Sequence, residues 1–268
     1  MGSNPTPSAG ADAARAPAVP PGRARRYPAP VNALAPPRAR LSLEVVFDLV
    51  CPWCFLGTRR LRRALRARPD VLASVAWRPF LLNPDAVPRG LGGGAGRPGE
   101  GLRRFGGEER ARRLHATLAE IGRAEGVPFR FDLLRRAPPS LDAHRLVRFA
   151  DRHGRAEDAV DALFVAHFAA GADIADPATL LALGATVGLE RASLRAFLAS
   201  GAEADAVHAE NLRAHRLGIN GVPCFVVAGA HAIAGAQEPE VLERLLDVAI
   251  AEAAEATPTG TGGVGGAG

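Results

Sequence analysis

Two cysteines one helical turn apart sit where the chain passes from a β-rich run into a helix, as Cys51-Pro52-Trp53-Cys54. This placement constrains the fold strongly, because one strand must deliver the pair and one helix must begin at it. Leu43 to Val50 is rich in Val and Leu and reads as a buried strand. Phe55 to Arg68 reads as a helix, with Leu61, Ala64 and Leu65 on one face and five arginines largely elsewhere. Pro69-Asp70 ends it. Ser74 to Leu82 follows as a second strand, and Asn83-Pro84-Asp85 turns the chain.

A helix start presents free backbone N–H groups and the positive end of the helix dipole, and both stabilise a thiolate. Cys51 is therefore expected to be exposed and nucleophilic. Cys54, one turn later, can attack the mixed disulfide and release the product. Pro52 stiffens the turn and suits an early helical position. A bare C-x-x-C also fits half a zinc site or an inert pair. Zinc would need Cys224 and a histidine such as His144 as further ligands. A second C-x-x-C is absent, so the redox reading comes first and no metal is expected. Three cysteines are few, and odd in number, for a disulfide-stapled domain.

Far along the chain, Gly221-Val222-Pro223 precedes a short β-rich run that starts at Cys224. X-Pro bonds are where cis peptides occur. A cis bond here would set the Val222 backbone beside the cysteines, where it could bind an extended substrate as an added strand does. An ordinary trans loop proline is the alternative.

Between these two regions the pattern is helical, at 108–125, 141–153, 156–170, 177–186, 190–199 and 203–217. Gly126, Gly154, Gly171, Gly188 and Gly218 punctuate the ends. Cys224 to Ala228 and His231 to Ala234 read as a hairpin around Gly229-Ala230, and Pro239 to Glu255 as a closing helix. The order β-α-β, helices, β-β-α implies an α/β fold with a mixed sheet and a large all-helical insertion. The expected division is a disordered tail at 1–40, a sheet domain from 41–88 and 219–256, a helical insertion at 89–218, and a disordered tail at 257–268. The Gly-rich stretch 89–101 lacks the Gly-Lys-Ser/Thr ending of a phosphate-binding loop and reads as a flexible insertion.

The charge map argues against one tempting partner. The sequence pI is near 10.2, which suggests nucleic acid. Yet residues 1–40 hold six Arg and one Asp, a net +5 that equals the net charge of the whole chain. The remainder is close to neutral and shows no sign of the basic face that nucleic-acid binding needs. No apolar run reaches the roughly 20 residues of a membrane span. No secretory signal is legible near Met1, so the cytoplasm is the expected compartment.

Several segments together resemble the DsbA-like oxidoreductases, and most closely their FrnE-like branch. They are Asp48-Leu-Val-Cys-Pro-Trp-Cys-Phe-Leu-Gly57, Trp77-Arg-Pro-Phe-Leu-Leu-Asn-Pro84, Leu141-Asp-Ala-His-Arg-Leu146, Gly218-Ile-Asn-Gly-Val-Pro223 and Gly235-Ala-Gln237. The resemblance covers about residues 42–250. It implies a thioredoxin-like fold with a helical insertion, a cis proline at Pro223, and redox roles for Cys51 and Cys54. Related branches, the 2-hydroxychromene-2-carboxylate isomerases and kappa-class glutathione transferases, share the insertion and bind glutathione, but usually carry Ser where Cys51 stands.

The leading expectation is a thiol–disulfide oxidoreductase acting on a thiol or disulfide of a protein or small molecule. Its redox-active pair is Cys51–Cys54, with glutathione as a conceivable co-substrate and no other cofactor. Pro52, Trp53, Val222, Pro223 and His144 are the expected substrate-binding residues, with Arg145 beside His144. Asp48 would tune Cys51 or cap a turn. Cys224 is read first as a small buried hydrophobe and second as a third redox thiol near Cys54. A glutathione-dependent isomerase or transferase is the second reading, and a non-catalytic chaperone-like module the third. The sequence does not set the oligomeric state.

Overall fold

The computed structural model describes residues 39–84, 107–134 and 137–255, and all of them fall within one compact unit, 37–268. The two expected disordered tails and the Gly-rich stretch 89–101 lie outside the described residues, apart from Ala39 and Arg40, which belong to a strand rather than to a disordered tail.

Strand β1 (Ala39–Phe47) leads into helix α1 (Pro52–Ala67), and β2 (Val71–Pro79) then pairs parallel to β1. Seven further helices are described: α2 (Glu108–Glu125), α3 (Leu141–Asp151), α4 (Ala156–Ala170), α5 (Pro177–Thr186), α6 (Arg191–Ala199), α7 (Ala204–Arg216) and α8 (Pro239–Glu255). Between α7 and α8 come β3 (Cys224–Val227) and β4 (His231–Ala234). The sheet order is β2-β1-β3-β4, with β3 antiparallel to both its neighbours. This is the expected α/β architecture.

Two strands are shifted from expectation. β1 starts earlier and ends at Phe47, because Asp48 opens a turn in which the Asp48 carbonyl accepts the Cys51 N–H at 3.1 Å. The apolar residues Leu49 and Val50 belong to that turn. β2 also starts earlier, at Val71, and ends at Pro79, which has no N–H to continue a ladder.

Alternation along β1 sorts the sheet into two faces. Leu41, Leu43, Val45 and Phe47 join the main core with Phe55 and Leu61 of α1 and Leu242 and Leu246 of α8. Val46 faces the other way, into a small core with Phe80, Ala214 of α7 and Cys224. The helical segment packs onto the main core through phenylalanines. Phe55 of α1 stacks on Phe164 and Phe168 of α4 at 5.2 and 5.9 Å, and Phe47 meets Phe164 edge-on at 6.2 Å. Each such side chain stabilises by about 1.5–3 kcal/mol when fully buried. The start of α1 is thereby fixed against the helical segment as well as the sheet.

Arg60 adds a polar tie at the same joint. It is 6% exposed. Its guanidinium pairs with Glu125 of α2 and Glu238, and donates to the Ala236 carbonyl.

Candidate active site

Helix α1 begins at Pro52, three residues earlier than the apolar pattern alone suggests. The proline at the first helical position already has helical φ and lacks an N–H that would go unpaired there. Cys51 is consequently the N-cap residue, in extended conformation, and its carbonyl accepts the Cys54 and Phe55 N–H groups at 3.0 and 3.3 Å. No acidic residue lies in the first turn to oppose an anion. Both thiols are free and buried.

Cys51 is less open than expected. It is only 5% exposed, because the loop before β3 lies against it. Its Sγ donates to the Val222 carbonyl oxygen at 3.6 Å. The Val222–Pro223 bond is cis, and the Pro223 carbonyl accepts the Gly235 N–H at 2.7 Å. Trp53 and Val222 are half-buried. Cys54 has no exposed surface. Burial pushes its thiol well up, and the hydrogen bond with Cys51 and the charge of Cys51 add to the rise.

One contributor lies outside the expected site. A Cβ placed on Gly57 would lie 2.8 Å from Pro223 Cγ and 3.2 Å from Phe225 Cζ. Glycine at this position lets α1 approach the Pro223 loop closely enough to bring Cys51 and Val222 together. Gly57 stands within the family-like segment, but its contact with Pro223 spans most of the chain and has no local signature.

Asp48 and His144 form a second layer. Both have no exposed surface. Asp48 Oδ2 accepts the Leu82 N–H at 2.7 Å, Oδ1 accepts the Val50 N–H at 3.4 Å, and Oδ1 lies 3.3 Å from His144 Nε2. His144 thus cannot touch substrate from its buried position, which corrects the expectation that it helps bind one. Arg145 is also turned away from any cleft. Its guanidinium donates to the carbonyls of Phe197, Leu198 and Ala202 at the end of α6 and to Asp142.

Cys224 belongs to the small core on the opposite face of the sheet from Cys54, with Val46 as its cross-strand neighbour. Burial pushes its thiol up. Its position corrects the alternative of a third redox thiol near Cys54 and supports the buried-hydrophobe reading. The same placement separates the ligands that zinc would have needed. Cys224 lies across the sheet, and His144 is engaged with Asp48.

A groove of about 760 Å³ opens elsewhere, where Arg62 and Arg66 of α1 face Asp158 and Asp161 of α4. Neither cysteine lines it. Its arginines and acids largely pair with each other, as in Arg62 with Glu157 and Asp161.

Comparison with known proteins agrees with this fold. Residues 42–247 match the DSBA-like thioredoxin domain. The chain is 31% identical to a probable DsbA oxidoreductase, SCO1869 from Streptomyces coelicolor, covering 81% of this chain and 92% of that one with a TM-score of 0.68. It is 25% identical to a cytosolic disulfide reductase, DsbM from Pseudomonas aeruginosa, solved with GSH, covering 77% and 98% with a TM-score of 0.55. It also shares its fold with a 2-hydroxychromene-2-carboxylate isomerase, at 16% identity and a TM-score of 0.60 over 81% of this chain and all of that one. Among the described residues, no helix is long and apolar enough to cross a membrane.

Proposed function

The chain belongs to the DSBA-like thioredoxin-domain family, and we propose that it is a thiol–disulfide oxidoreductase working through Cys51 and Cys54. The observation that carries this reading is the position of Cys51. It caps α1 at the dipole's positive end, with its sulphur against the Val222 carbonyl and Cys54 one turn behind.

In the reducing direction, the Cys51 thiolate attacks one sulphur of a substrate disulfide, and the other substrate sulphur leaves as a thiolate. Cys54 then attacks Cys51 Sγ, the mixed disulfide breaks, and the second substrate thiolate leaves. The substrate gains two electrons and the enzyme retains a Cys51–Cys54 disulfide. Pro52, Trp53, Val222 and Pro223 supply the wall against which an extended substrate lies. Val222 offers backbone groups for strand-like pairing once its carbonyl releases the Cys51 thiol.

An insulin-reduction assay tests this reading. Activity should vanish in Cys51→Ser, and Cys54→Ser should accumulate a mixed disulfide with substrate. Equal turnover by Cys51→Ser would overturn the mechanism.

A second reading concerns the electron source. The similarity to a cytosolic reductase solved with GSH favours glutathione as the thiol that recycles the pair, and the cytoplasm as the compartment. Recycling of the oxidised protein by glutathione alone, at a rate that sustains turnover, would support it. A Cys54→Ser variant that keeps full glutathione-dependent activity would point instead to isomerase or transferase chemistry.

A further inference from the structure

The turn between β4 and α8 holds the Pro223 loop from behind. Its first residue, Gly235, donates its N–H to the Pro223 carbonyl at 2.7 Å. The next, Ala236, lies against α1 beside Gly57, where a Cβ on that glycine would be 3.4 Å from Ala236 Cα. Gln237 closes the turn on itself. Its backbone N–H reaches the Gly235 carbonyl at 2.9 Å, and its side-chain amide the Ala234 carbonyl at 2.7 Å. Glu238 then opens α8, its carbonyl accepting the Val241 and Leu242 N–H groups at 3.0 and 3.2 Å. Residues 235–238 form a strap, and whatever fixes the strap to α1 also fixes Pro223 to α1.

Arg60 fastens that strap. It stands one turn after Gly57, on the same face of α1. Its Nη1 donates to the Ala236 carbonyl at 2.6 Å, and its Nη2 lies 2.7 Å from Glu238 Oε1. Its Nε donates to both carboxylate oxygens of Glu125, the last residue of α2, at 2.9 and 3.0 Å. One buried guanidinium therefore joins α1, the helical insertion and the strap. Stability alone does not call for this arrangement. Taking a guanidinium out of water costs about what its ion pairs return, and an apolar residue of similar size would serve as well. A planar fork with donors in fixed directions supplies what an apolar residue cannot, a set spacing between the elements it joins. From the fork to the chemistry the path is short. It runs through the Ala236 carbonyl, the Gly235 N–H and the Pro223 carbonyl to the adjoining Val222 carbonyl, 3.6 Å from Cys51 Sγ.

We propose that Arg60 is a positioning residue for substrate. Through the strap it sets the reach between Cys51 and the Val222 backbone, and so favours disulfides carried on an extended polypeptide over small disulfides. The inference rests on the dithiol reading given above, in which Val222 is the backbone that an extended substrate pairs with. Arg60 touches neither sulphur. Its loss weakens the hold on a peptide backbone and leaves exchange with a small disulfide largely as it was.

Arg60→Lys tests this, because an ammonium keeps the charge beside Glu125 but cannot span Glu125, Glu238 and the Ala236 carbonyl at once. The reduced full chain is mixed with an excess of one of two disulfides. One is a pair of short linear peptides joined by a disulfide, and the other is hydroxyethyl disulfide, which has no backbone to pair. Rapid quenching and alkylation count the protein thiols lost with time. With the peptide disulfide, KM should rise about tenfold, the worth of one strand-pairing hydrogen bond. The limiting rate should stay within about twofold, as expected when binding is lost equally from ground and transition states. With hydroxyethyl disulfide the second-order rate constant should also stay within about twofold, since no such binding is lost there. An equal loss with both disulfides would make Arg60 structural only and overturn the inference, as would an unchanged peptide KM. Wild type that reduces neither disulfide would overturn the dithiol reading and this inference with it. Should Arg60→Lys not fold, Glu125→Gln decides. It leaves the fork in place but replaces its charged anchor with a weaker neutral one, so the peptide KM should rise about threefold with hydroxyethyl disulfide spared. The same change with both disulfides, or no change with either, would overturn the proposal.

Discussion

The close approach of α1 to the Pro223 loop can be tested with one methyl group. Gly57→Ala replaces a helical glycine, so helix propensity alone favours the variant by about 1 kcal/mol. Packing opposes it. The new Cβ would lie 2.8 Å from Pro223 Cγ and 3.4 Å from Ala236 Cα, and carbon atoms prefer about 3.5–4.0 Å. The proline ring cannot swing aside as a flexible side chain would, and its carbonyl is tied to the Gly235 N–H. Overpacking of this kind costs about 1–3 kcal/mol. The net effect is a loss of up to about 2 kcal/mol, which lowers Tm by up to about 8 °C in a chain of this size. Relief of the contact requires the loop to retreat by about 0.7 Å, the shortfall from that carbon–carbon distance. That retreat separates Val222 from Cys51, where a 3.6 Å contact now stands. Misplacement approaching 1 Å can cost about 10²-fold in rate, so insulin-reduction activity should fall by at least about tenfold. Thermal melting and the activity assay are run beside Gly221→Ala, where a Cβ meets nothing within 4 Å. A Gly57→Ala protein that melts higher than wild type and keeps full activity would refute the close-approach argument.

Other expectations follow from the same structure. Arg60→Ala leaves the largely buried Glu125 carboxylate with the half-exposed Arg63, 3.8 Å away, as a weaker partner and should cost about 2 kcal/mol, read as a lower urea midpoint. Burial lowers the ionisation of His115 and His167 below the ordinary histidine value, and for His167 the Ala172 carbonyl and nearby acids only partly offset this. The unfolded chain therefore binds more protons below about pH 6.5 than the folded one, so stability should fall as pH drops below that point. His167→Gln should flatten that slope, and an unchanged slope between pH 5 and 6.5 would contradict the assignment. Cys224→Ala should retain full activity and a single Cys51–Cys54 disulfide by mass spectrometry, with a stability loss of about 1 kcal/mol.

The helical boundaries were legible because local chemistry marks them. Gly126 and Gly171 end α2 and α4 with φ of 71° and 66°, a conformation that favours glycine. Asp176 starts α5 by accepting the Thr179 N–H at 2.9 Å. The cysteine pair was legible for the same reason, since a strand, a proline and a helix adjoin it in sequence. The β1 boundary was not, because an apolar run looks alike in a strand and in the buried turn that follows it. The partner of His144 was not legible either. Asp48 lies 96 residues away, and no spacing rule links an N-terminal turn to a helix of the insertion. The side of the sheet on which Cys224 falls could have been inferred. Alternation places Cys224 opposite Phe225, and the larger side chain takes the main core.

The central claim is that Cys51 and Cys54 form one reversible two-electron couple. Equilibrating the full chain in glutathione buffers of graded potential, quenching with an alkylating agent and mapping the peptides by mass spectrometry tests it directly. The expected result is a single transition with n = 2 in which a Cys51–Cys54 disulfide gives way to two alkylated thiols, while Cys224 stays reduced throughout. A Cys51 that carries only glutathione at every potential, with Cys54 never linked to it, would contradict the account.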